Sequence, residues 1–405
     1  MNIVQAQKFL WPSGGDSSYA IFLLELLKKH RQNVIPFTIK DSRNPSSEYD
    51  EFFVNSAYPR EEKVSFLKKI QYAGQIFYSF EAKRKMQALL NKEHVDIVHL
   101  HNIYHQISPS ILPVIKKKKI PIVMTLHDYK LICPNYTLFH HGGVHDEDSL
   151  GWYLSCVKNK CFKNSRWQSA LVTAEMIFHH KIMKYYEKDV DLLLAPSLFI
   201  RNKFIEHGWK KEKIIHLPYT INFNSFEYIA EDKGYVAYVG RLVEEKGLQV
   251  LLEAAKITPE IKYKIAGTGP LMQDLLTIIK KEKLNNVQLV GFKIGRDLRE
   301  FLGGARLVVV PSIWYEVYGI VILEAKAMGK PVVGSRIGGI PEILPKELLV
   351  EPGNAEDLAR TVSFWYTETE ERRKEMGRRM REEVKKENDP EDHVKKILEI
   401  YKQLI

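Results

Sequence analysis

Twice along the chain, short apolar runs alternate with segments whose apolar residues recur at helical spacing. In the first half the runs are Asn33–Ile39, Asp96–Leu100, Ile122–Leu126 and Leu192–Ala195, with helical patterns over Tyr78–His94 and Ser169–Lys188. In the second half they are Tyr235–Val239, Lys262–Ala266, Val287–Val290, Leu307–Val310, Val332–Gly334 and Leu348–Val350. Helical patterns over Gly247–Lys256, Pro270–Lys281, Asp297–Gly303 and Tyr318–Met328 separate them. A continuous apolar run reads as a strand buried on both faces, and repeated strand–helix units demand a parallel sheet covered by helices. The expected fold class is α/β, with two doubly wound Rossmann-like domains facing across a cleft. At 405 residues the chain exceeds what one hydrophobic core holds, which agrees with two domains. Residues 218–233 are polar, lack either period and read as a linker. That leaves an N-terminal domain over 1–217, a C-terminal domain over 234–387, and a last helix, 388–405, that is expected to complete the first domain. Helices are expected over Ala355–Glu387, with a break near Tyr366, and over Pro390–Leu404 after the Asn388-Asp389-Pro390 turn.

Charge divides the same way. The net charge is +10, and residues 1–220 hold 31 basic against 21 acidic side chains, so the remainder is balanced. A basic half commonly meets nucleic acid, an anionic membrane or an acidic substrate. The basic residues are scattered without interleaved aromatic platforms, so nucleic acid is not expected. The N-terminus lacks the basic segment and apolar run of a signal peptide, and no stretch is long and apolar enough to span a bilayer, so a cytoplasmic protein is expected. Three cysteines do not make a disulfide framework, in keeping with a reducing compartment. A dinucleotide oxidoreductase would need G-x-G-x-x-G after a strand and an acid further on, and neither is found.

The densest chemistry lies between residues 238 and 342. Arg241 and Lys246 follow the first strand of the second half, where an anionic ligand of such a sheet would lie. Arginine can grip phosphate oxygens in a fork while lysine adds a movable point charge. Ala266-Gly267-Thr268-Gly269-Pro270 makes another strand-to-helix turn. After Leu307–Val310, a loop carries Glu316, and a helix begins near Tyr318-Gly319-Ile320, whose first amides can take phosphate. Glu324 lies about two turns into that helix, so both carboxylates can face one elongated ligand; carboxylates suit sugar hydroxyls rather than phosphate. Together these describe a nucleotide-diphosphate site. Near the N-terminus, Ser13-Gly14-Gly15-Asp16-Ser17-Ser18 looks like the phosphate loop of ATP pyrophosphatases, one residue short of its signature.

Gly240-Arg241 with Lys246-Gly247, the Ala266–Pro270 turn, and Glu316 with Glu324 closely resemble the pattern of retaining glycosyltransferases of family 4, which have the two-domain GT-B architecture. The resemblance implies that Arg241 and Lys246 bind the donor diphosphate, with the backbone at Tyr318, Gly319 and Ile320. It places Glu324 on the ribose and Glu316 near the donor sugar. His127, in Thr125-Leu126-His127-Asp128-Tyr129, would face that sugar, and Gly14-Gly15 would turn at the cleft toward the phosphates or the acceptor. His101 and His105 are candidates for the acceptor side. The same resemblance implies a nucleoside-diphosphate sugar, UDP- or GDP-linked, as co-substrate, with no cofactor or metal required. The acceptor would be a glycan or a lipid-linked molecule of cell-surface polysaccharide synthesis, met at the inner membrane face. A cysteine-rich insertion often follows the His-Asp-Tyr segment in such proteins. Here His145, Asp148, Cys156 and Cys161 are zinc-binding types, but their spacing is poor and thiols without metal are the preferred reading. A nucleotide-sugar epimerase of the same architecture and a non-catalytic nucleotide-sugar binder are the alternatives.

Overall fold

The computed structural model describes residues 1–56, 74–146 and 151–405. Two compact units result, one of Met1–His140, His145–Pro218 and Glu391–Ile405, the other of His141–Val144 and Tyr219–Pro390. The first is built on β1 (Asn2–Ala6), β2 (Asn33–Phe37), β3 (Ile97–Leu100) and β4 (Ile122–Thr125). After β5 (Phe139–His140) and β6 (Gly143–Val144), two short strands outside the large sheets, come β7 (Leu192–Ala195) and β8 (Ile214–His216). The order β2-β1-β3-β4-β7-β8 is parallel throughout. Ile3, Ile35, Val98, Val123 and Leu193 are fully buried in this sheet, each burial removing apolar surface that stabilises by about 1.5–3 kcal/mol.

The structure departs from the expected elements at β1, whose Asn2–Ala6 run is interrupted by Gln5, and at two further features. β8 is an additional edge strand of three residues, too short to show a period. The helix expected over Ser169–Lys188 is broken: Arg166–Met176 is α-helical, Ile177–Ile182 widens into a π turn, and Tyr185–Asp189 restarts after Lys184 at φ 50°. The wide turn lets consecutive buried histidines find separate partners, His179 with Glu175 at 2.9 Å and His180 with Glu187 at 2.6 Å. The last helix, Pro390–Leu404, packs into the first unit through Tyr401, which shares a 2.6 Å hydrogen bond with His99, and His393, 2.9 Å from the Tyr19 hydroxyl.

The second unit carries β9 (Val236–Val239), β10 (Tyr263–Ala266), β11 (Val287–Gly291), β12 (Leu307–Val310), β13 (Val332–Ser335) and β14 (Leu349–Val350). The order is β11-β10-β9-β12-β13-β14. From β9 the chain winds outward to one side, then returns to β12 and winds outward to the other, so the direction reverses between β9 and β12. Loops leaving those two strands diverge, and this is where an open α/β sheet has its crevice. The long C-terminal pattern divides at Glu368, after Ala355–Thr367 and before Glu370–Glu387, whose start Thr369 caps. Tyr219, Thr220 and Ile221, at the start of the polar 218–233 stretch, are buried in this unit, and Thr220 donates to the Asn388 carbonyl at 2.6 Å.

Candidate functional site

Both loops at the β9/β12 reversal carry charge, and glycines set their approach. Gly247 lies at φ 69°, and a Cβ there would sit 1.8 Å from the Pro311 carbonyl oxygen, so the chain behind Lys246 rests directly on the loop after β12. The Ile313 amide donates to the Glu245 carbonyl at 3.0 Å and ties the same two loops. Gly267, at φ 153°, brings its turn equally close to Gly240, where a Cβ would meet the carbonyl oxygen at 1.9 Å. Gly267 and Gly269 thus act by packing: their turn braces the Arg241 loop, with the Leu242 amide donating to the Thr268 carbonyl at 2.9 Å.

Within this frame Lys246 Nζ lies 2.7 Å from Glu316 Oε2. Ser312 Oγ and Trp314 Nε1 each donate to the same oxygen at 3.0 Å. Burial alone would raise the Glu316 pKa; the Lys246 charge, helped by these donors, outweighs it and holds the carboxyl below its ordinary value. Glu316 is therefore an anion at neutral pH, with Oε2 saturated and Oε1 left for a ligand. The ammonium also sits 5.0 Å from the centre of the Trp314 ring, a cation–π arrangement. Arg241 is held loosely, its guanidinium 3.5 Å from Glu245 and its side chain 54% exposed.

The helix Ile320–Ala327 starts after Gly319, at φ 92°. The Tyr318 ring turns away into packing: its hydroxyl accepts from Asn388 Nδ2 at 2.9 Å, so only the Tyr318 backbone is available to a ligand. Glu324 is half-buried on that helix, and burial pushes its carboxyl up to about 8, with no charge or donor among the described residues to counter it.

In the first unit, Gly14 precedes the helix Gly15–Lys29. Its amide and that of Ser13 both donate to Ser17 Oγ, at 3.0 and 2.9 Å, so the loop closes on itself. Asp16 accepts from Asn102 at 2.7 Å. His127 is buried and shares a 2.9 Å hydrogen bond with His101. Burial lowers the His127 pKa to about 4 and that of His99, whose ring lies tilted against His101 at 4.5 Å between centres, to about 3, so this is a neutral imidazole cluster at physiological pH. His105 goes elsewhere. Its Nε2 lies 3.5 Å from Glu175, which also binds Lys130 at 2.5 Å and His179. The two acceptor-side candidates thus belong to separate clusters.

Of the zinc-type set, Asp148 lies outside the described residues, and His145 stacks on His140 with ring centres 4.0 Å apart. Cys156 and Cys161 are buried, the Cys161 amide donating to the Cys156 carbonyl. Among the described residues no group of three or more His, Cys, Asp or Glu is arranged to hold a metal ion. Sequence reasoning passed over Ser312 and Trp314, four and two residues before Glu316, and also His99, Tyr19 and His393.

The family model described as Glycosyltransferase Family 4 matches residues 13–224, more than half of the chain. The chain belongs to glycosyltransferase family 4. A second model, Glycosyl transferases group 1, matches residues 221–383 and so contains Arg241, Lys246, Glu316 and Glu324. This glycosyltransferase is 25% identical to an uncharacterized glycosyltransferase of Methanocaldococcus jannaschii over 314 residues, 77% of this chain and 76% of the relative. It is 30% identical to the amylovoran biosynthesis glycosyltransferase of Erwinia amylovora over 237 residues, 51% of this chain and 58% of the relative. The crystal structure of Anabaena HepE in complex with UDP and glucose matches it with a TM-score of 0.71 over 100% of both chains at 17% identity, which establishes the GT-B fold. Among the described residues no helix is long and apolar enough to cross a membrane.

Proposed function

We propose that this glycosyltransferase moves a sugar from a UDP- or GDP-linked donor to a glycan or lipid-linked acceptor, in the synthesis of a cell-surface polysaccharide. Transfer proceeds with retention at the anomeric carbon and without a metal ion, in a cytoplasmic protein working at the inner membrane face. The observation that carries the reading is the Lys246–Glu316 pair at the strand-order reversal, beside the exposed Arg241. As the bond from the anomeric carbon to the diphosphate breaks, charge builds on the phosphate. Lys246, Arg241 and the amides at the start of the Ile320–Ala327 helix stabilise that charge. The acceptor oxygen bonds to the same face of the carbon and its proton passes to the leaving phosphate. Glu324 takes the ribose hydroxyls, which supply the donors it lacks, and Glu316 Oε1 takes a hydroxyl of the sugar. His127 acts on the transferred sugar as a neutral imidazole. The amylovoran relative supports a polysaccharide role, and the UDP complex of HepE supports a nucleotide-linked donor.

The test is the anomeric configuration of product made from α-configured UDP- and GDP-hexoses, with octyl glycosides as acceptors and EDTA present. An α-linked product at an undiminished rate is expected. A β-linked product, or a rate abolished by EDTA and restored by a divalent ion, would overturn the retaining, metal-independent part of the reading.

A further inference from the structure

One helix of the first unit is apolar on the side facing away from the protein. In Arg166–Met176 the inward face is Ser169, Val172, Thr173 and Met176, all buried. The outward stripe begins at Trp167, 88% exposed, continues through half-buried Leu171 and exposed Ala174, and ends past the π turn at Ile182, 64% exposed. The preceding segment adds Trp152 and Leu154, 59% and 65% exposed. It lies alongside, because Thr173 Oγ1 donates to the Tyr153 carbonyl at 3.5 Å and Lys181 Nζ sits 5.4 Å from the Tyr153 ring centre. Outward tryptophans and long aliphatic side chains are rarely left to water on a surface with no partner.

Within this segment the exposed charge has one sign. The exposed charged residues between positions 152 and 184 are Lys158, Lys160, Lys163, Arg166, Lys181 and Lys184. The acid in that range, Glu175, is buried against Lys130 and His179. An apolar stripe bearing tryptophan, in a segment whose exposed charges are all basic, matches an anionic bilayer: rings enter the headgroup boundary and ammonium groups meet the lipid phosphates. A folded protein partner of matching charge would need acidic groups facing each basic side chain, whereas a bilayer presents them everywhere.

We propose that this helical face, 152–184, docks the protein on an anionic membrane surface. The inference takes from the proposed function only the kind of partner, and vesicle binding is read without turnover, so the two fail separately. The experiment is co-sedimentation of the full chain with vesicles of phosphatidylglycerol and phosphatidylcholine, or of phosphatidylcholine alone, at rising salt. Wild type is expected to bind the anionic vesicles about tenfold or more tightly, and to release as salt rises. The double variants Trp152→Ser/Trp167→Ser and Lys160→Glu/Lys163→Glu should each lower that partition by about tenfold, whereas Lys117→Glu/Lys118→Glu, at the C-terminal end of the helix Leu112–Lys117, should change it less than about twofold. Unchanged unfolding curves keep misfolding out of the comparison. Equal binding to neutral vesicles, or anionic binding that survives both patch variants, would overturn the proposal. So would a dimer in solution that the tryptophan variant dissolves while no vesicle binds, since the stripe would then cover a second copy.

Discussion

Lys246→Ala is expected to lower turnover by ~10²–10³, the loss typical of removing one preorganised group from developing charge. The ammonium is held 2.7 Å from Glu316 before any ligand arrives, so it costs no reorganisation when the diphosphate departs. The same substitution strands Glu316 with only Ser312 and Trp314 as donors, and stability should fall by about 2–4 kcal/mol, the lower part of the range for breaking a buried pair because both side chains keep some exposure. The sign of the pH dependence follows from the lowered Glu316 pKa. In wild type the pair's contribution is present above the ordinary carboxylate value of 4.5 and is lost as pH falls through the lower folded value. Steady-state kinetics and denaturant melts separate the two effects. Lys246→Ala/Glu316→Gln should recover most of the stability and none of the activity. A Lys246→Ala protein with wild-type kcat/KM would remove the crevice from the chemistry.

Glu324→Gln should stabilise the unliganded protein at pH 8 and weaken donor binding. Burial places the folded pKa at about 8, above the ordinary 4.5, so the folded state keeps a proton that the unfolded state releases. Stability from this group is full below the unfolded value and declines as pH rises from 4.5 toward 8. Glutamine cannot ionise, so the gain at pH 8 should be about 1–3 kcal/mol, discounted for the partial exposure of the carboxyl, and should vanish near pH 5. Donor affinity should fall by roughly tenfold to a hundredfold, because an ionised carboxylate accepting ribose hydroxyls makes charge-assisted bonds of about 1.5–3 kcal/mol. Melting curves at both pH values, with and without nucleotide, check both halves. A stability gain without loss of affinity would mean that Glu324 faces no donor.

Most strands of both sheets were legible because each is a largely apolar run between helices, even where Lys264 breaks β10 or Gln288 breaks β11. β1 escaped because Gln5 interrupts Asn2–Ala6, and β8 because Ile214–His216 is only three residues long. The broken helix was not legible. Its apolar spacing continues through the π turn, and what breaks it is the pairing of buried His179 and His180, visible only once Glu175 and Glu187 are in place. Arg241, Lys246 and Glu316 stand out in sequence as charged residues close to glycines, and Glu324 as an acid within an apolar helix. That Lys246 would pair with Glu316 was not, since it depends on β12 returning to lie beside β9. His101 and His105 both follow β3, and their different partners, His127 for the one and Glu175 for the other, were not legible because they come from distant parts of the chain.

The central claim, a nucleoside-diphosphate sugar held at the β9/β12 reversal, is tested most directly by thermal stabilisation with UDP, GDP, ADP and dTDP and their sugars, on wild type and Arg241→Ala. At 100 times its Kd a ligand adds ~2.7 kcal/mol of stability. One nucleotide family is expected to stabilise wild type by that order and the variant by much less, which also names the base. Stabilisation that is equal in wild type and Arg241→Ala, or absent with every nucleotide, would contradict the account.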